Sequence, residues 1–324
     1  MSIQGSKKET IFTLWQKKYP KSLEEIIGLT LDDRRVEISN GRKKNDLYAV
    51  NRKRRIEVFV ENQLLPSDPR HLDEKVRPII ESRNEAIIVW TALRFHPDHI
   101  ATVKDLIRSY PQKYISVYFM EIPQEIIRVI NTLNSMYELD VWENLDMINR
   151  VNPKLIMVDK LEQIPPTHIG KVISGKRIYD YSRVDDVKEY LLEQLQERIP
   201  YFINFQLEKK HNLHHRILVT GGGRFDISYF CSVYGRGNKA YVEIGFGKSK
   251  SEWYDAFKYH EFELRDYIDK NIRFNDKDRK IGVYFKALPY ELKGTVDRLV
   301  ELFKRLILYF SPYTYGEKNV NELP

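Results

Sequence analysis

The stretch Asp46-Leu-Tyr-Ala-Val50, Asn51-Arg-Lys-Arg-Arg55, Ile56-Glu-Val-Phe-Val-Glu61-Asn62-Gln63 decides how the first half of the chain is read. Two runs rich in β-branched and aromatic residues flank a polar, basic turn, which is the pattern of a β-hairpin. With a loop of two or four residues centred between Lys53 and Arg54, Val50 faces Glu57, Tyr48 faces Phe59 and Asp46 faces Glu61. Side chains alternate between the two faces of a strand. One face then carries Asp46, Tyr48, Val50, Glu57, Phe59, Glu61 and Gln63, and the other carries Leu47, Ala49, Val58 and Val60. Directly opposed residues have Cβ atoms about 4.5–5.5 Å apart. Two carboxylates at that distance repel unless a positive charge sits between them. A hard divalent cation with oxygen ligands, Mg2+ or Mn2+, is the resident such a pair calls for.

Working outward, Thr10–Lys18 and Ser22–Ile27 read as helices, with Ser22 and Glu25 at capping-box spacing. Val36–Ser39 is a short strand. His71–Glu81, Pro97–Tyr110 and Gln124–Tyr137 read as helices, and Ile115–Ile122 as a strand. Ala86–Trp90 is wholly apolar, which suits a strand covered on both faces. Strands alternating with helices predict a mixed α/β sheet. A chain of 324 residues is long enough for two domains. Gly, Ser and charged residues cluster near Gly170–Asp180, so the division is placed at 1–172 and 173–324. The second half reads as α+β: a helix over Val184–Arg198, strands at Ile217–Leu218, Phe225–Tyr234 and Lys239–Gly245, a helix over Glu252–Lys270, a strand at Arg279–Phe285 and a helix over Leu292–Phe310.

Apolar residues make up 42% and charged residues 31%, which excludes collagen-like and disordered chains. No apolar run approaches the roughly 20 residues of a membrane span. The N-terminus lacks the apolar core of a secretory signal, so a cytoplasmic location is expected. Cys231 is the single cysteine; it rules out an internal disulfide and a Cys-based zinc site, and reads as a buried structural thiol. The net charge of +7 favours an anionic partner. Nine basic residues lie between Arg34 and Arg55: Arg34, Arg35, Arg42, Lys43, Lys44, Arg52, Lys53, Arg54 and Arg55. They are either a solvated hairpin tip or a nucleic-acid contact flanking the acidic pair. His96 with His99 reads as a surface pair, and His211, His214 and His215 are a weak metal signal. Gly221-Gly-Gly-Arg224 lacks a phosphate-loop ending and reads as a hairpin turn. Trp253, Phe257 and Phe262 read as the core stripe of an amphipathic helix.

Asp46 followed by Glu61-Asn62-Gln63 at the end of an apolar strand resembles the PD-(D/E)XK nuclease core. More closely, the chain resembles a prokaryotic subgroup with an apolar–Glu–Asn–Gln–Leu ending, then Asp-x-x-His-Leu, then an apolar strand ending in Trp. The matching residues are Glu61-Asn62-Gln63-Leu64, Asp68-Pro-Arg-His71-Leu72, Ile87-Ile-Val-Trp90 and Phe95-His-Pro-Asp98-His99. The second half is similar to the uncharacterised domain that often follows this core, through Phe225-Asp-Ile-Ser, Tyr241-Val-Glu-Ile, Trp253 with Phe257, and the Glu261–Ile268 helix. The resemblance implies a restriction-endonuclease-like mixed sheet followed by an α+β domain.

It also implies that Asp46 and Glu61 ligate Mg2+ or Mn2+, with the Asn62 carbonyl as a further ligand. Gln63 takes the catalytic position usually held by lysine, and a neutral amide there can orient water but supplies no charge. Glu24 or Glu25 would add an acidic group. Arg52, Lys53, Arg54 and Arg55 would meet nucleic acid, and His71 would touch a phosphate or hold the helix start. The implied activity is hydrolysis of phosphodiester bonds, in DNA, in a restriction or anti-phage setting. The alternatives are a nuclease-fold module that binds nucleic acid without cutting it, and a scaffold subunit that dimerises or docks an ATPase or helicase. Tyr229, Phe230, Tyr234, Tyr241 and Phe246 suit either an interface or a core.

Overall fold

The computed structural model describes residues 3–40, 43–163, 179–202, 216–235, 237, 239–287, 291–316, 318, 320 and 323. The chain divides into two units, Met1–Lys176 and Arg177–Pro324.

The hairpin of the first unit forms in the register that its alternation requires. β2 (Lys43–Asn51) and β3 (Ile56–Asn62) run antiparallel around a turn at 52–55, with Val50 opposite Glu57, Tyr48 opposite Phe59 and Leu47 opposite Val60. β1 (Asp32–Asn40) pairs antiparallel with β2 on its other side. β4 (Glu85–Ala92) lies parallel to β3, and β5 (Tyr114–Glu121) parallel to β4. β6 (Ile156–Leu161) closes the far edge antiparallel to β5, so the mixed sheet reads β1-β2-β3-β4-β5-β6. β6 was not expected: Ile156, Met157 and Val158 are all exposed, so this edge strand has no in–out alternation to detect.

Helices cover both faces of this sheet. α1 (Ile3–Lys18) buries Ile11, Phe12, Leu14 and Trp15, and touches β2 and β3. α2 (Lys21–Ile27) begins after Pro20, with no side-chain cap. The capping-box expectation at Ser22 therefore fails: Ser22 lies inside the first turn, and its hydroxyl is buried without a hydrogen bond. The segment after β3 is helical in three pieces: α3 (Pro69–His71), a π turn over Leu72–Val76 and α4 (Arg77–Ser82). α5 (Pro97–Arg108) follows β4, and α6 (Gln124–Asn134) and α7 (Glu138–Asn144) follow β5. Tyr48, Val50, Phe59, Ile88 and Trp90 share one core with Leu72, Val76, Ile79 and Ile80 from the segment over them and Val103 and Ile107 of α5. The hairpin face that carries the acidic pair is thus roofed by residues 69–82, whereas the alternation pattern alone leaves it open.

The second unit opens with α8 (Val184–Arg198). It contains a five-stranded antiparallel sheet in the order β10-β11-β9-β8-β7. The strands are β7 (Leu218–Gly221), β8 (Ile227–Ser232), β9 (Lys239–Phe246), β10 (Arg273–Asn275) and β11 (Lys280–Lys286). Gly221–Arg224 is the β7–β8 turn, with Gly223 at φ +84°. The helix expected over 252–270 is two helices, α9 (Ser251–Tyr259) and α10 (Glu261–Tyr267), broken at His260. Phe257 is fully buried, but Phe262 is 82% exposed, which removes it from the core. Tyr229, Tyr241 and Phe246 are buried, so the core reading holds for these three. α11 (Leu292–Thr314) packs along β9 and α8. Cys231 is buried, and burial pushes its thiol far above the ordinary range. His211, His214 and His215 lie outside the described residues. Among the described residues no helix is long and apolar enough to cross a membrane.

One side chain bolts the motif strand to its neighbours. Asn62 Nδ2 donates to Thr13 Oγ1 and Gln16 Oε1 of α1, both at 2.8 Å, and Asn62 Oδ1 accepts from Thr91 Oγ1 of β4 at 2.7 Å. All four residues are buried. Asn62→Ala strands three polar groups in the interior, and urea unfolding should show a loss of about 1–3 kcal/mol.

Candidate active site

Strand pairing brings Asp46 and Glu61 to the same end of the hairpin, and backbone and amide donors then orient each carboxylate. Asp46 Oδ2 accepts the Asn62 N–H at 2.7 Å. Glu61 Oε1 accepts Asn45 Nδ2 at 2.5 Å, and the Glu61 side chain is fully buried. The second oxygens, Asp46 Oδ1 and Glu61 Oε2, lie 3.8 and 3.9 Å from a single atom, Lys75 Nζ. The two carboxylates therefore share one cationic neighbour, the Lys75 ammonium.

Lys75 arrives on the π turn over Leu72–Val76, where Arg77 N–H bonds back to the Leu72 carbonyl. The wider turn keeps Leu72 and Val76 in the core while His71 and Lys75 both reach the acidic pair. π turns recur at functional sites. His71 Nε2 is 4.0 Å from Glu61 Oε2, and its ring stacks on Trp90 with centroids 5.7 Å apart. Burial, with the Lys75 ammonium adding to it, pushes the imidazole down to about 4, so it is neutral near pH 7. The helix start is held by Asp68, whose Oδ1 accepts the His71 N–H at 2.8 Å. That separates the two alternatives for His71: its ring faces the site, and Asp68 does the capping.

Other expected residues lie elsewhere. Gln63 is buried, and its amide nitrogen donates to the Pro66 carbonyl at 2.8 Å and to Asp68, so it fastens the loop that starts α3. Glu24 Oε1 accepts the Leu31 N–H at 2.8 Å just before β1, and β1 begins opposite Val50, toward the other end of the hairpin. Glu25 is exposed. The acidic residue of the first helices that reaches the motif is Glu9, whose Oε1 accepts the Leu64 N–H at 3.4 Å.

Arg52, Lys53, Arg54 and Arg55 form the exposed 52–55 turn. That turn is five residues of strand from Asp46, roughly 17 Å away. They do not flank the acidic pair, and Arg52 Nη2 is paired with Asp33 Oδ1 at 2.6 Å. The Lys43 and Lys44 backbone instead begins β2, beside Asp46. Arg42 lies outside the described residues. His96, the N-cap of α5, and His99 in its first turn have ring centroids 5.4 Å apart, with His99 Nδ1 2.8 Å from Ser67 Oγ.

Lys75 and Asn45 were missed. Asn45 is one residue from Asp46 and by alternation belongs on the opposite face. Lys75 carried a usable signal: it stands four residues after His71, the spacing that puts two helical side chains on one face.

A divalent ion fits this donor set in a limited way. Among the described residues no group of three or more His, Cys, Asp or Glu side chains converges on one point. Two carboxylates face one ammonium, Lys75 Nζ, and magnesium is commonly held by one or two carboxylates while keeping several waters. Asn45 Oδ1, Gln63 Oε1 and His71 Nε2 are buried and make no hydrogen bond with the described residues. Asn45 and His71 contact Glu61, and a hydrated cation there would give these two a partner, whereas Gln63 is engaged with the loop at Pro66 and Asp68. The chain matches no family model and no curated protein.

The depressed His71 value has a consequence for the metal-free protein. The folded imidazole titrates near 4 against an ordinary 6.5, so the unfolded chain binds a proton first as pH falls. The stability contributed by neutral His71 is complete above pH 6.5 and is lost progressively down to pH 4. Chelator-treated His71→Phe should lose less stability than the parent across that window in denaturant titrations.

Proposed function

We propose that the N-terminal unit is a PD-(D/E)XK-type, Mg2+- or Mn2+-dependent nuclease that hydrolyses phosphodiester bonds in DNA. The observation that carries this reading is the approach of Asp46 Oδ1 and Glu61 Oε2 to one cationic group, Lys75 Nζ, at the end of a buried hairpin. Asp46 and Glu61 would hold the ion, with the Asn62 carbonyl as the expected further ligand. When bound, a divalent ion supplies Lewis-acid activation of water and of the phosphate. The protein's own part is positioning. The Asn62 N–H and the Asn45 amide hold the two carboxylates in fixed orientations, so little reorganisation is needed when charge changes beside them. The stacked His71–Trp90 pair forms a neutral wall on one side. The backbone of Lys43 and Lys44 begins β2 at the Asp46 end of the hairpin, and the charges of these two lysines would serve a phosphate backbone. The prokaryotic defence setting rests on the motif resemblance.

A second reading, nucleic-acid binding without cleavage, is favoured by one observation. Lys75 already neutralises the pair, and Gln63, in the place of the motif lysine, is engaged with the loop at Pro66 and Asp68.

Supercoiled plasmid incubated with the full chain and Mn2+ separates the two. The nuclease reading expects nicking that EDTA abolishes and that Asp46→Ala and Glu61→Gln each reduce by roughly 100-fold or more, with circular dichroism unchanged. Gel shift without any metal-dependent cutting would leave the second reading. Replacing Lys43 and Lys44 by Ser should weaken DNA retention and flatten its salt dependence, by up to about one log unit in affinity per log salt for each phosphate no longer neutralised. Replacing Arg54 and Arg55 should change retention less.

A further inference from the structure

We propose that Lys75 is the built-in counter-ion of the Asp46–Glu61 pair, that its ammonium leaves the pair when a divalent cation is bound, and that it then serves an anionic group at the same site. This rests on the reading of Asp46 and Glu61 as metal ligands and adds an exchange step in which Lys75 takes part.

Three observations carry it. First, Lys75 Nζ lies almost equally far from both carboxylates, at 3.8 and 3.9 Å. Both distances exceed the 2.7–2.9 Å of a close charge-assisted hydrogen bond, so the ammonium compensates the charge of both carboxylates from one position between contact and separation. Second, the Lys75 side chain is 25% exposed while Glu61 is fully buried. The ammonium therefore has a route outward, and the carboxylate has none. Third, the backbone that presents Lys75 is the π turn, which aims it at the pair while its neighbours Leu72 and Val76 stay anchored in the core. A swing of the flexible four-carbon stem can move the charge without moving the helix.

The energetics run in one direction. A divalent ion ligated by either oxygen at about 2.1 Å would lie within about 6 Å of the Lys75 ammonium in its present place, and the two cations would repel. At such a range a second cation weakens binding by several-fold in water and by more in a partly buried setting. Lys75 must therefore weaken divalent-ion binding, and its removal must strengthen it. The displaced ammonium remains tethered within a side-chain length of the site, where a phosphate oxygen is the natural partner. Gln63 carries no charge and cannot fill that place.

The test measures Mn2+ affinity by isothermal titration calorimetry on the full chain, for the parent, Lys75→Met and Lys75→Arg, with Asp46→Asn as the site control. Lys75→Met keeps the stem and should bind Mn2+ about tenfold more tightly or better. It should also retain a short DNA duplex less well in the presence of Ca2+. Lys75→Arg keeps the charge and should stay near the parent in both. Mn2+ binding to Lys75→Met but not to the parent would also support the proposal. Parent binding that Asp46→Asn abolishes, with Lys75→Met equal to or weaker than the parent, overturns the exchange and leaves the metal site standing. No Mn2+ binding to any variant overturns both. Should Lys75→Met unfold, Lys75→Gln is titrated in its place and read by the same criteria.

Discussion

Two carboxylates brought together by strand pairing need a positive charge between them, and the architecture of the first unit is organised around that need. Asp46 and Glu61 are neighbours because β2 and β3 pair in one register, and a one-residue slip would send one of them to the other face. Burying Glu61 completely would be costly without compensation. Compensation comes from three directions: Asn45 from β2, Lys75 from the π turn and the His71 ring edge. Asp46 receives the Asn62 N–H and the same ammonium.

The surrounding packing keeps this arrangement in place. Asn62 points away from the acidic face and ties β3 to α1 and β4, so the backbone that carries Glu61 cannot shift without breaking a buried network. On the acidic face, Leu72 and Val76 anchor the segment that carries Lys75 into the same core as Tyr48, Phe59 and Trp90. Gln63 and Asp68 hold the link between β3 and that segment. Site and core are thus built from alternate residues of the same elements.

The second unit has a comparable buried charge with a different solution. Glu243 on β9 is nearly inaccessible, yet Lys280 Nζ lies 2.5 Å away and the Tyr284 hydroxyl donates to it. Both partners come from the adjacent strand β11, and Lys280 also sits over the Phe230 ring at 4.4 Å. Here the acid is closed off by hydrogen bonds at short range. At Asp46 and Glu61 the lysine stands farther back. That contrast is why the first unit, and not the second, is read as a site for an exchangeable cation.

Alternation along 46–63 was enough to place Asp46 against Glu61, and the wholly apolar Ala86–Trp90 run was enough to predict a strand covered on both sides. Local chemistry determined these, because strand period and turn length act between residues close in sequence. The edge strand β6, the roof over the acidic face, the capture of Gln63 by its own loop and the arrival of Lys75 were decided by tertiary structure. Each depends on segments meeting across the sheet, and no sequence period records which ends of a strand a later helix will cover. The basic run shows the division most plainly. Its composition was legible, but only the fold of the hairpin sent Arg52–Arg55 to one end and Lys43–Lys44 to the other, because antiparallel pairing puts successive turns at opposite edges of a sheet.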